Sequence, residues 1–246
     1  MPPSNAASPG PAGLDPNPPP ASPGPQTSAS PTAAAAAAAP PPPSQEPTPP
    51  ELNPANPFPA PTLVLTKSVL RPIHVSDAPA LQRAADSPRV ARFLSYQFVS
   101  PYTLRDALGW VVYALRFRVA GHPDVVPSLC ICDPATNAML GGIGVKDKGD
   151  VEKGCLEIGY WIGEESWGKG IMSEACRAYV RWLFQVYPDV RRVEATVFSG
   201  NHASSKVLDK AGFVYEGTKR KAVMKHGEVH DLLIYGLLRE ECEPLE

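Results

Sequence analysis

The sequence predicts a mixed α/β domain of the α+β kind, one sheet with helices on its faces, and three stretches carry that prediction. Val125–Cys132 and Met139–Val145 are apolar strands around the turn Asp133-Pro134-Ala-Thr-Asn137, a hairpin. Leu156–Ile162, Ser173–Phe184 and Arg192–Phe198 then read as strand, helix and strand. Two strands joined through a helix run parallel, with a right-handed crossover. Finally, Val214–Met224 and Val229–Leu238 flank the turn Lys225-His-Gly-Glu228, a second hairpin. Antiparallel pairs on both sides of one parallel crossover exclude an all-parallel fold.

Residues 1–61 are of another kind. They hold 22 of the 31 prolines, the alanine run Ala33–Ala39 and only three charges, Asp15, Glu46 and Glu51. Such a segment has too little apolar surface to offset its ordering entropy, so a disordered tail of polyproline II character is expected. It lacks Lys and Arg and any Leu-rich run, which argues against an export or transit signal. Residues 62–246 then make one domain of ordinary size.

Within that domain Thr62–Arg71 alternates as an opening strand. Ser76-Asp77-x-Pro79 starts a helix to about Ala85, and Ser87-Pro88 caps a second over Arg89–Leu94. Thr103-x-x-Asp106 is a capping-box pattern for a longer helix ending before Gly121. Trp110, Tyr113 and Phe117 form an aromatic stripe on it, either core or the wall of a pocket. Asn201 starts the last helix, and Gly212 ends it.

Removing the tail's three acids leaves 23 basic against 22 acidic side chains, a net of +1, so nothing points to nucleic acid. No apolar run approaches the ~18 residues of a membrane span. The five cysteines are odd in number and form no C-x-x-C, and the five histidines show no metal spacing. Reduced thiols in a cytoplasmic protein, without a metal, are the expectation.

The chemistry is expected at the turn Trp167-Gly168-Lys169-Gly170-Ile171-Met172. Its glycines allow close backbone approach, and the free N–H groups of the following helix attract an anion. Gly163 through Lys169 also fits a phosphate-binding nucleotidase loop, except that Gly170 stands where a magnesium-binding Ser or Thr belongs. Glu157 sits mid-strand among apolar neighbours, sharing a face with Gly159 and Trp161, so partial desolvation should raise its pKa.

Trp167-Gly-Lys-Gly170, Asn201-x-x-Ser204-x-x-Val-Leu-x-Lys-x-Gly212-Phe213, Glu216-Gly217 and His230-Asp231-x-x-x-Tyr235 occur in the order seen in GNAT acetyltransferases. With Leu70-Arg71-Pro72, the resemblance covers residues 62–240 and is nearest the RimJ/RimL branch. It implies a mostly antiparallel sheet whose one parallel pair splays apart, and an acetyl-CoA-dependent N-acetyltransferase. It further implies Glu157 as general base. Trp161, Ile162 and Gly163 would supply amides to the thioester carbonyl. The turn from Trp167 to Met172, with Asn201 and Ser204, would contact the coenzyme.

The sequence departs from the family at Trp167 and Met172. It departs also at Leu208, where many members carry a tyrosine that protonates the leaving thiolate; Ser204 or Ser205, at the start of the same helix, or a water could take that role. The acceptor is a primary amine, either a protein N-terminal α-amine or a small molecule, and the chain would act as monomer or homodimer. A non-catalytic acyl-CoA-binding module is the competing reading. Glu194 could line the acceptor side, and the basic run Lys219–Lys221 could guide an acidic acceptor or the coenzyme phosphates, whereas Asp231 is expected to order a loop.

Overall fold

A computed structural model describes residues 54–243. Most of the expected Pro/Ala-rich tail, residues 1–53, therefore lies outside the described residues. In chain order the elements are β1 (Leu63–Val64), β2 (Val69–Pro72), α1 (Ala78–Ala85), α2 (Pro88–Ala91), α3 (Leu104–Arg116), β3 (Leu129–Cys132) and β4 (Met139–Asp147). There follow β5 (Cys155–Ile162), α4 (Ile171–Val186), β6 (Arg192–Phe198), α5 (His202–Ala211), β7 (Val214–Lys225) and β8 (Glu228–Leu238). The strands form one sheet in the order β1-β2-β3-β4-β5-β6-β8-β7. Every neighbouring pair is antiparallel except β5–β6. This is the mixed sheet that the patterning implies, mostly antiparallel as the GNAT resemblance implies.

Helices cover both faces, because apolar side chains of the central strands point to both. Leu156, Ile158, Val193 and Ala195 pack under α4 and α5, while Cys130, Cys132, Met139 and Trp161 pack under α1–α3. In α4 the residues Ile171, Ala175, Tyr179, Val180 and Leu183 are buried at helical spacing. Each large side chain so buried contributes ~1.5–3 kcal/mol. The helix stops at Tyr187, since Pro188 follows. Thr103 and Asp106 form the expected reciprocal cap on α3, which nevertheless ends at Arg116.

Two strands differ from expectation. Thr62–Arg71 is not one strand but the hairpin β1–β2: the polar Thr66-Lys67-Ser68 turns the chain, and the Leu65 N–H donates to the Ser68 carbonyl at 2.9 Å. The strand expected from Val125 begins only at Leu129, because Pro127 has no N–H to give a ladder. Arg71 is fully buried. Its guanidinium donates to both Asp77 carboxylate oxygens, at 2.8 and 2.9 Å, and through Nε to Asn137 Oδ1 at 2.9 Å. It thereby joins β2, the start of α1 and the β3–β4 turn.

Candidate active site

The parallel pair β5–β6 is hydrogen-bonded only from Cys155↔Arg192 to Glu157↔Glu194. Beyond Glu157 the strands part. β5 stays on β4 as far as Ile162, and β6 stays on β8 as far as Phe198. The gap between them is a cavity of about 410 Å³ lined by Gly159, Tyr160, Thr196, Phe198, Asn201 and Ser204, with Phe93 and Leu94 at its edge. Lys225 braces that edge, its ammonium donating to the Leu94 and Ser95 carbonyls at 2.8 and 3.2 Å.

At the open end of the gap lies the glycine turn. Gly168 and Gly170 have φ of +74° and +77°, left-handed values that suit glycine. Ile171 and Met172 turn their side chains into the core. The N–H groups from Gly168 to Ser173 have no acceptor among the described residues, so the helix end presents a run of bare donors. Lys67, from the unforeseen β1–β2 turn, reaches over them. Its ammonium donates to the Lys169 carbonyl at 3.1 Å, and its N–H to Glu174 Oε2 at 2.9 Å. Trp167 latches the turn to the strand end: its indole N–H donates to the Ile162 carbonyl at 2.8 Å, and Arg89 stacks on its ring.

The amides of Trp161–Gly163 do not all face the gap. The Gly163 N–H donates to the Leu140 carbonyl at 2.9 Å, and strand alternation turns the Trp161 N–H toward β4 as well. The amides directed into the gap are those of Tyr160 and Ile162. The Trp161 side chain instead lies on the opposite face, over Gly142, where an added Cβ would come within 3.0 Å of the indole nitrogen.

Glu157 is 6% exposed and accepts one hydrogen bond, from Thr196 Oγ1 at 3.2 Å. Burial raises its pKa; Lys146, Lys148 and the Thr196 bond offset this only in part. Glu194, directly opposite on β6, is held by Lys148 at 2.7 Å and by Arg192 at 3.4 Å. It is thus neutralised, whereas Glu157 has no ion pair among the described residues. Asp231 accepts from the Lys221 N–H at 2.7 Å, and its own backbone bonds Ser199. It orders a loop.

Asn201 caps α5, its Oδ1 accepting from the Ser204 N–H at 3.3 Å. The Ser204 hydroxyl lies 2.9 Å from the Tyr160 hydroxyl, at the gap. Leu208 is wholly buried in the core. Tyr160 escaped the sequence reading because alternation places it beside Ile158 on the core face; its hydroxyl reaches past that core to α5. Burial raises its pKa well above the ordinary phenol value. Lys67 escaped because its segment reads as strand.

On the α3 side of the sheet a groove of about 380 Å³ runs over β4 and β5. Trp110 and Tyr113 wall it, Gly142, Gly144 and Gly159 floor it, and Lys146 stands in it. Two residues of the α3 aromatic stripe, Trp110 and Tyr113, therefore face this groove, whereas Phe117 packs on the core. Among the described residues, Gly159 alone lines both this groove and the gap.

A sheet whose one parallel pair among the described strands opens beside a glycine-rich helix start defines one class of mixed α/β fold. The match of residues 67–214 to the acetyltransferase (GNAT) domain model places the chain within it: the protein belongs to the GNAT acetyltransferase family. It is similar to N-acetyltransferase p20 of Bacillus licheniformis, 28% identical over 73% of this chain and 97% of that one. It is also 30% identical to the Escherichia coli enzyme named [ribosomal protein uS5]-alanine N-acetyltransferase, over 42% of this chain and 54% of that one. YdaF of Bacillus subtilis is 40% identical over 35% of this chain and 47% of its own. The chain thus spans about half the length of these last two.

Among solved structures, the Bacillus anthracis GNAT acetyltransferase superposes with a TM-score of 0.59 at 22% identity, over 75% of this chain and 99% of that one. RimL, titled a ribosomal L7/L12 α-N-protein acetyltransferase in complex with coenzyme A, gives 0.58 at 22% identity, over 73% and 98%. At that identity both show the fold.

Proposed function

We propose that the protein is an acetyl-CoA-dependent N-acetyltransferase acting on a primary amine, a protein N-terminal α-amine or a small molecule. The observation that carries this reading is the gap beyond Glu157, with bare amides at one end and a buried, unpaired carboxylate at the other. The residues present fit the coenzyme. Six free N–H groups and the ammonium groups of Lys67 and Lys169 suit a pyrophosphate. The gap edge of β5, with the free Tyr160 and Ile162 amides, suits the amide-bearing pantetheine arm. Acetyl-CoA supplies an activated thioester.

The chain supplies the proton transfers. As the amine nitrogen bonds to the acyl carbon and the carbon–sulfur bond breaks, Glu157 takes the ammonium proton, directly or through water. Burial raises its pKa and so makes it a stronger base than a solvated carboxylate. The Tyr160 and Ile162 amides stabilise charge on the carbonyl oxygen. Ser204 hands its proton to the sulfur and recovers one from water, with the Tyr160 hydroxyl 2.9 Å away orienting it. A thiol's ordinary pKa of ~8.5 makes thiolate a fair leaving group, so a hydroxyl pair suffices where Leu208 removes the family's tyrosine. Bacterial relatives named for ribosomal protein acetylation support a protein N-terminus as acceptor; the groove under α3 supports a small molecule. The five cysteines are all free thiols, in keeping with a cytoplasmic enzyme.

The test is release of free thiol from acetyl-CoA with a panel of amines and short peptides, with product masses. A mass gain of one acetyl group on an amine is expected. Tight acetyl-CoA binding with no turnover on any amine would instead favour the non-catalytic binding module.

A further inference from the structure

The gap and glycine turn leave one charged group unexplained. Lys146 stands on β4 directly opposite Glu157, and its side chain enters the groove under α3. It is half-buried, yet its ammonium has no hydrogen-bond or ion-pair partner among the described residues. The neighbouring cations are matched: Lys148 pairs with Glu194 at 2.7 Å and Arg192 with Glu216 at 2.5 Å. Removing an ammonium from water without giving it an anion is costly, and burial does depress the Lys146 pKa.

Glu157 offsets that cost only in part, through space, because the two side chains form no ion pair although their residues are paired across the ladder. Directly opposed residues of an antiparallel pair have Cβ atoms ~5 Å apart. Lys146 lines the groove without an ion pair among the described residues, and Glu157, opposite it on β5, is buried and likewise without one. That is the complement of a compact zwitterion. The Ser128 side chain lines the same groove beside Gly144, its hydroxyl 3.4 Å from where a Cβ there would stand. It offers a second donor to an anion.

We infer that the acceptor is a free α-amino acid, its carboxylate held by Lys146 and Ser128 and its amino group turned toward Glu157 beside Gly159. The inference rests on the transferase reading and narrows it. A peptide N-terminus has a neutral amide where the free amino acid has its carboxylate, so it leaves Lys146 unpaired. Trp110 and Tyr113 then flank the amino acid side chain, which favours apolar and aromatic ones.

The experiment uses the full chain with acetyl-CoA and matched acceptors: L-leucine against L-leucinamide, L-phenylalanine against its amide, and the dipeptide Leu-Gly. Thiol release gives kcat and KM for each. An amino acid amide has the lower amine pKa, so intrinsic reactivity favours the amide; a preference for the acid must come from the site. The free acids are expected to exceed their amides about ten- to hundredfold in kcat/KM, mostly through KM, as a charged hydrogen bond provides. Lys146→Met should bring acid and amide to one level, and Lys146→Arg should keep part of the preference. Equal or reversed preference in the unaltered protein overturns the inference, as does an undiminished preference in Lys146→Met. Turnover of Leu-Gly or the amides at the higher rate overturns it while leaving the transferase reading intact. Thiol release with none of the wider amine panel removes both.

Discussion

The Tyr160 hydroxyl lies 2.9 Å from the Ser204 hydroxyl, which ties the free edge of β5 to the first turn of α5. Neither residue stands where the family's usual acid tyrosine does, and Leu208 fills that place with core. If this pair delivers the proton to sulfur, Tyr160→Phe lowers kcat about tenfold and leaves the KM for acetyl-CoA nearly unchanged. Ser204→Ala should lose at least as much, and the double variant little more, since the two act in series. Full additivity of the two losses in steady-state kinetics would show that they act independently.

Glu157 makes a paired prediction for rate and stability. As base it is active when ionised, so kcat/KM rises with pH through its pKa, which burial has lifted above the ordinary glutamate value of ~4.3. Glu157→Gln should remove ~100-fold or more of the rate and abolish that acid limb. For stability, a folded pKa above the unfolded one means that the folded state binds more protons between the two. Stability therefore falls as pH rises through that window, and the penalty is complete above the folded pKa. Glu157→Gln should accordingly raise Tm at pH 7 and not at pH ~3. Thermal melts at the two pH values check the sign.

Gly159 lines both the gap and the groove, so in the proposed reaction acyl group and amine would meet over a position without a side chain. Gly159→Val keeps a strand-favouring residue but fills the junction. The acceptor kcat/KM should drop about 100-fold, the scale expected when reacting groups are held an ångström apart from their working positions. Binding of coenzyme A, measured by calorimetry, tells a blocked junction from a disrupted coenzyme site.

Gly170 tests the turn. Its φ of +77° costs an L-residue ~1–2 kcal/mol, and a Cβ there would lie 2.8 Å from the Lys67 ammonium. Gly170→Ala should weaken coenzyme A binding by about tenfold. Lys67→Met should weaken it too, more at low salt than at high, because a screened charge is what it removes. Titration calorimetry at two ionic strengths separates the variants.

Arg71 and Asp77 are a stability pair remote from the chemistry. Asp77→Ala leaves a buried guanidinium without its anion and should cost ~3–5 kcal/mol in urea unfolding. Activity per folded molecule should survive.

Much of this protein was legible in its residues, because periodicity and punctuation are local. The βαβ unit, both hairpins, the Thr103 and Asn201 caps and the glycine turn follow from spacing, β-branched runs, Gly and Pro. So does the burial of Glu157 among apolar neighbours. Long-range meetings were not legible. Nothing near Thr66-Lys67-Ser68 says that its turn lands on a helix more than a hundred residues later. Alternation alone could not say that Tyr160 reaches through its core face to Ser204, that the Trp161 and Gly163 amides belong to the β4 ladder, or that Lys146 and Glu157 stand opposed without joining. Those facts depend on which strand lies beside which, where the ladder stops, and how far a side chain extends. Sequence determines the elements and the kinds of groups they carry. Only packing decides which groups share a cavity, because that needs distances between parts of the chain that have no local interaction with one another.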